Sequence, residues 1–343
     1  MTSSTNAGRK IVTVLEPEDE YTHEPDEASN YNESMYLNAF DLDQQLGGWF
    51  RLGNRVNEGY AEMTVCVYLR DGRVGFVYAR PQIDDNDKME AGGLSIEVVT
   101  PFEHLKVRYS GKVCVLDDPT QMADPRTAFK NNPWEECEVD LDYRGVSPMY
   151  GGRPVYEDDG SDIEIEAEKS FAKAHYEQHC KVTGTIRVGD EVIDMDGLGL
   201  RDKSWGPRFW QAISWYRWLP LVFSDEFAMM ISIVGGKPGG MVLEGKEYHL
   251  IRDCSIESEW DDDHYQTGMR CSVTTDHDTY EVTGEVLSLI PLRNRRTDPE
   301  GNELLTRITE AMTKFECRGQ TGIGMSEYLD QIEDGRPIGA DVK

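Results

Sequence analysis

The 343-residue chain is short of basic charge, of paired cysteines and of long apolar runs, and each shortage removes a class of function. Only 35 Lys+Arg stand against 64 Asp+Glu, a formal net charge of −29. A surface this negative repels phosphate backbones and anionic headgroups, so nucleic acid and membrane insertion are not expected. No stretch approaches the roughly 18 apolar residues of a membrane-spanning helix. The best run, 227–236, is the length of a strand. Seven cysteines are scattered without a CxxC spacing, which argues against a zinc ribbon or a disulfide framework and for reduced, mostly buried thiols. The opening MTSSTNAGRK has no apolar secretory core, so a cytoplasmic location is expected. No strand leads through GxGxxG or GxxxxGK-S/T into a helix, so no nicotinamide, flavin or nucleotide cofactor is expected.

What the chain does have is short β-rich runs separated by Gly, Asp and Asn. Residues 1–40 are polar and acidic and read as an arm lying over the body. From Gly47 onward the runs 48–52, 60–69, 74–79, 94–99, 105–109, 112–116, 137–143, 175–188 and 191–200 follow, with tight-turn signals at 70–73 and 188–191. A second set covers 212–218, 227–234, 240–243, 247–258, 265–274, 279–291 and 308–318. Each set is large enough to close an antiparallel barrel. The expectation is an all-β chain of two antiparallel β-barrels in tandem, over 41–210 and 211–343. Helical signal is confined to 164–177 and to a short C-terminal segment at 326–332.

The most unusual segment runs Gly197-Leu-Gly-Leu-Arg-Asp-Lys-Ser-Trp-Gly-Pro-Arg-Phe-Trp210 and on to Trp218. Four of the seven tryptophans (Trp205, Trp210, Trp215, Trp218) fall within 14 residues, beside Arg201, Asp202, Lys203, Arg208 and Tyr216. Indoles with a few fixed charges can hold and orient a bulky apolar ligand, and their negative faces can stabilise a developing cation. The same residues also make a plain junction core with an ion-pair clasp. Lys203 has two readings. Desolvated among tryptophans, it becomes a neutral amine able to take a proton or form a Schiff base with a carbonyl compound. Paired with Asp202 or turned to solvent, it stays charged.

At this segment the chain resembles the tandem lipocalin-like proteins related to carotenoid 1,2-hydratase and the AttH-type proteins. The likeness rests on GxGxRDxSWGPRxW, on Tyr176-Glu-Gln178 with Val182-Thr-Gly-Thr-Ile before it, and on Gly322-Ile-Gly-Met-Ser-Glu-Tyr-Leu at the end. The resemblance implies two lipocalin-like barrels with a cavity near their junction. It also implies cofactor-independent chemistry on, or binding of, a hydrophobic small molecule. In the hydratase branch the motif reads Asp-His-x-Trp-Gly; Asp202 and Trp205 match it, and Lys203 replaces the His. The strand after the motif, Met229-Met-Ile-Ser-Ile233, lacks the acid expected there, so carotenoid hydration itself is not expected.

Elsewhere, His175-x-Glu177-x-His179 puts three polar groups on one strand face. Without a recognisable third ligand it is read as a general acid/base candidate at His175 rather than a metal site. His249 and His264 have no context that singles them out.

The expected function is a lyase, hydratase or isomerase acting on a bulky apolar molecule of terpenoid, steroid or aromatic-dimer type. Asp202, Lys203, Tyr216 and His175 carry the proton or carbonyl chemistry; Trp205, Trp210, Trp215, Trp218 and Arg208 bind substrate. The rival reading is a non-catalytic carrier of the same ligand. The partner is the hydrophobic small molecule, with self-association as a homodimer left open.

Overall fold

The structure is a computed structural model and describes residues 9–167, 170–297 and 301–340. Strand alternation organises it, because successive side chains leave a strand on opposite faces. In Tyr31–Asp41 (β1), Met35, Leu37 and Ala39 point into one core while Tyr36 and Phe40 point into another.

Seven further strands complete the first barrel: Leu46–Arg55 (β2), Tyr60–Tyr68 (β3), Val74–Ala79 (β4), His104–Leu116 (β5), Trp134–Gly145 (β6), Ala174–Val188 (β7) and Glu191–Pro207 (β8). Each pairs antiparallel with the next, and β8 returns to β1 to close the ring. The second barrel is built the same way from Trp215–Ser224 (β9), Phe227–Val234 (β10), Lys237–Glu244 (β11), Glu247–Trp260 (β12), Gln266–Thr275 (β13), Thr279–Thr297 (β14), Glu303–Cys317 (β15) and Gln320–Glu333 (β16). It closes through β9 against β16. Closure leaves no ring edge to attract another chain. Outside the rings, Ile11–Val14 pairs with Tyr150–Tyr156, which borders β7. Among the described residues the only α-helix is Pro125–Asn131.

Each barrel is filled by its own side chains, such as Phe50, Leu52, Val65, Val107 and Leu141 in the first and Leu221, Met229, Ile231, Val273 and Phe315 in the second. The opposite parity builds a third core between them. Phe40, Trp49, Tyr68 and Phe76 meet Ile290, Met312, Ile323 and Met325 there. Polar contacts also cross the joint, two of them to main-chain carbonyls. Tyr68 donates to the Glu310 carbonyl at 3.0 Å, and His179 Nε2 lies 3.1 Å from the Met229 carbonyl. Burial drives the His179 pKa down to about 4, so its ring is neutral and donates that bond.

The GxG at the start of the motif is explained by close approach. A Cβ on Gly197 or Gly199 would sit 2.3 Å from the Phe40 carbonyl oxygen or 1.9 Å from that of Asn38, so only glycine lets β8 close on β1.

Three expectations are corrected. The helix expected at 164–177 does not form: its last four residues belong to β7, residues 163–166 are irregular, and Glu168 and Lys169 lie outside the described residues. The helix expected at 326–332 is the second half of β16. Polar-looking 31–40 is not arm but barrel strand, because its outward face is buried by the second barrel and the arm. No described helix is long and apolar enough to cross a membrane.

Candidate active site between the barrels

A cavity of about 710 Å³ lies between the outer faces of the two barrels. Two cross-strand rows line it. On the first barrel, register places Glu177, Asp202, Tyr36, Arg51, Thr64 and Tyr78 side by side across six neighbouring strands. On the second, Ser232, Trp218, Glu327 and Glu310 form the facing row. Trp49, Phe76, Phe171, Trp210 and Met230 supply apolar wall. The volume falls in the range for small-molecule sites, roughly 300–1,000 Å³.

Each row contains two carboxyl groups directly opposite one another, an arrangement that repels when both are charged. On the first barrel, Glu177 faces Asp202, and His175 Nε2 bonds to Asp202 Oδ2. Glu177 is fully buried; its Oε1 accepts from Trp218 Nε1 at 2.7 Å and its Oε2 has no partner. Burial raises the Glu177 pKa to about 7, with His175 opposing the rise and Asp202 adding to it. His175 is open to the cavity, with 46 % of its side chain accessible. Burial of its surroundings pulls its pKa down, but Asp202 and Glu177 overcome this and lift it to about 9.

On the second barrel, Glu310 and Glu327 are register partners and both are buried. Burial and their mutual repulsion hold the Glu310 pKa well above the usual carboxyl range, and Glu327 is raised as well. No cation forms an ion pair with either among the described residues, so the two share a proton. Tyr216 donates to Glu327 Oε1, and Tyr36 to Glu310 Oε2 at 3.5 Å. Trp218 joins the two acidic pairs: it bonds to Glu177, is the register partner of Glu327, and touches Tyr36 edge-on with ring centroids 5.5 Å apart.

The arrangement can give and take protons at an apolar surface near neutral pH. Glu177 sits where a carboxyl can both release and recover a proton, and His175 with Asp202 is a charged partner beside it. The same three residues present ligand atoms all within 4.8 Å of one another and could hold a divalent cation. Asp202 is the third ligand that the sequence pattern around His175 did not reveal.

Of the residues expected from sequence, Asp202, Tyr216, His175, Trp210, Trp218 and Arg208 line the cavity. Lys203, Trp205 and Trp215 do not. Strand alternation sends Lys203 to the other face of β8. There its Nζ reaches Glu33 Oε1 at 2.6 Å and the carbonyls of Asp19 and Tyr21 at 3.0 and 2.5 Å. An ammonium's three donors are thereby matched by three acceptors, and no Schiff-base or amine chemistry is left to it. Trp205 lies on that same face, stacked on His23 of the arm at 3.9 Å between centroids. Trp215 packs against the second barrel's core, next to Arg217. His249 lies against His277 and His264 in the 261–264 turn, neither of them in the cavity lining.

The acid that the strand after the motif lacks is met by carboxyl groups from elsewhere in the chain. Glu177, Glu310 and Glu327 come from other strands. Glu310 and Glu327 had a legible signal: each is the one charged residue in a five-residue stretch that begins and ends on an apolar side chain, 308–312 and 325–329.

The fold is that of tandem lipocalin-like proteins, two closed barrels side by side. Residues 16–332 match a family described as a domain of unknown function, DUF7064, and the chain belongs to that family. No curated protein matches it in sequence. Among solved structures, an AttH-like protein of Nitrosomonas europaea superposes with a TM-score of 0.58 at 12 % identity, covering 93 % of this chain and 96 % of its own. Kievitone hydratase of Nectria haematococca gives 0.53 at 8 % identity, covering 97 % and 96 %. CghA with Sch210972 gives 0.52 at 11 % identity, covering 93 % and 98 %. At these identities the likeness is one of fold.

Proposed function

We propose that the protein is a hydratase, isomerase or lyase that needs no redox or nucleotide cofactor and acts on a bulky, mostly apolar small molecule between the barrels. The observation that carries this reading is the buried carboxyl of Glu177, tuned to about 7 and facing an aromatic-walled cavity. Similar folds that include a hydratase support it.

In the hydration direction, Glu177 gives its proton to one carbon of a double bond. The positive charge that develops on the other carbon is stabilised by the faces of Trp218 and Trp210. A water oxygen bonds to that carbon, the water's surplus proton passes to the vacant site of the singly protonated Glu310–Glu327 pair, and exchange with solvent takes that proton away and returns one to Glu177. In isomerisation the cation instead loses a proton from a neighbouring carbon to the same pair. Both routes balance without an electron donor or acceptor.

The test is incubation of the pure protein with a small-molecule extract in deuterated water, followed by mass spectrometry. Acid–base catalysis at carbon predicts a compound that gains deuterium on carbon or changes by one water. A compound that binds and is recovered unlabelled would make the protein a carrier and overturn the enzymatic reading.

A further inference from the structure

Among the described residues, the cavity holds a buried cation with no ion-pair partner. Five basic side chains are buried among the described residues: Arg55, Arg201, Lys203, Arg208 and Arg217. Four have a carboxylate partner, namely Glu58, Glu20, Glu33 and Asp330. Arg208 has none. Its Nη2 donates to Ser204 Oγ at 2.7 Å, its Nε is buried without a partner, and its planar head lies 4.3 Å from the Phe171 ring centre and 5.3 Å from that of Trp210. A buried guanidinium with unspent donors is costly unless something accepts from it.

A second guanidinium makes the deficit larger. Arg51 lies 5.7 Å from the same Trp210 ring; its Nη1 is taken by Glu62 at 3.1 Å, but its Nη2 is buried without a partner. Burial, and then repulsion from Arg51, lower the Arg208 pKa to about 10, and Asp202 offsets only part of this. Arg80, Arg293, Arg295 and Arg296 also line the cavity. In a chain of net charge −29, this lining carries six arginines against five carboxyl groups, Glu62, Glu177, Asp202, Glu310 and Glu327, a local excess of cations of the kind that draws an anion inward.

We infer that Arg208, backed by Arg51, is an anion subsite, and that the molecule bound between the barrels is an amphipathic carboxylate whose apolar body lies along the aromatic wall. The planar fork of a guanidinium matches a carboxylate. The inference rests on the apolar-ligand cavity of the preceding proposal and adds the charge of its ligand. An anchored carboxylate also orients the molecule, since Arg208 lies within electrostatic reach of both Asp202 and His175.

The experiment compares parinaric acid with its methyl ester, which share an apolar body and differ in charge. Binding is read at neutral pH by energy transfer from the protein's tryptophans. The unaltered protein should prefer the acid by about 10- to 100-fold, the range of a charge-assisted hydrogen bond. Arg208→Met should remove the preference by weakening the acid alone, and Arg208→Lys should retain part of it. Equal affinity for the two probes in the unaltered protein overturns the anion site and leaves the cavity reading intact, and this result does not depend on how any variant folds. Binding of neither probe overturns the cavity reading itself. Loss of both probes equally in an Arg208→Met protein with an unchanged far-ultraviolet spectrum also counts against the anion site.

Discussion

The two faces of β8 receive similar residue types and use them in opposite ways. On one face, Arg201 meets Glu20 of the N-terminal segment and Lys203 meets Glu33 of β1, two buried ion pairs, and Lys203 also holds the segment through the Asp19 and Tyr21 carbonyls. On the other, Asp202 stands opposite Glu177 in a cavity where carboxyl groups are left without full neutralisation. The first face uses burial to strengthen charge pairs. The second uses burial to hold protons on acids. A buried charge with a partner is a fastening, and a buried acid without one is a reagent.

The largest break in this contrast should come from Glu177→Gln. Removing the proton donor should lower turnover of the compound found in deuterated water by about 10²- to 10⁴-fold. Turnover by the unaltered enzyme should fall as pH rises through about 7, because the acid form is the one required. A Glu177→Gln protein with full activity would remove this residue from the chemistry.

Lys203→Met attacks the other face. It leaves Glu33 buried without its main partner and should cost about 3–5 kcal/mol in urea unfolding, with turnover per folded molecule unchanged. Burial alone would raise the Glu33 pKa, but Lys203 and His23 hold it down at about 2. A depressed carboxyl contributes stability that is present above the unfolded value of 4.5 and is lost as pH falls toward about 2. The unaltered protein should therefore lose stability across that window, and Lys203→Met should flatten the loss.

Glu310→Gln sharpens the comparison from the side of the cavity and should have the smallest effect. A carboxyl whose folded pKa is raised contributes most below the unfolded value of 4.5, and that contribution drains away as pH rises toward the folded value. Replacing it by an amide should raise stability at alkaline pH by about 1 kcal/mol, with no gain in acid. Melting curves across neutral pH measure the difference. A uniform gain at every pH would mean that the Glu310–Glu327 pair is not sharing a proton.

Much of the fold was legible in the sequence. Short alternating runs, Gly-Asp turns and two sets of strands indicated paired barrels, and the motif from Gly197 to Trp210 marked the strand that closes the first. The misreadings have a common cause. Residues 31–40 and 326–332 carry polar side chains at buried positions, so local composition concealed strands that tertiary pairing supplies. At the site, counting charged neighbours along the chain joined Asp202 to Lys203, although adjacent strand residues face opposite ways. Parity along β8 was available without a structure and would have separated them.

By itself the sequence determined the all-β architecture, the presence of an aromatic and charged junction, and the glycines that let β8 approach β1, because alternation, turn chemistry and steric exclusion are local. Only the tertiary structure decided that both barrels are filled and which residues line the cavity between them. It also decided that Glu177 meets Asp202, that Glu310 meets Glu327, and that Arg208 forms no ion pair among the described residues. Those pairings depend on strand register and on which outer faces are pressed together, and both are set by contacts between residues far apart along the chain.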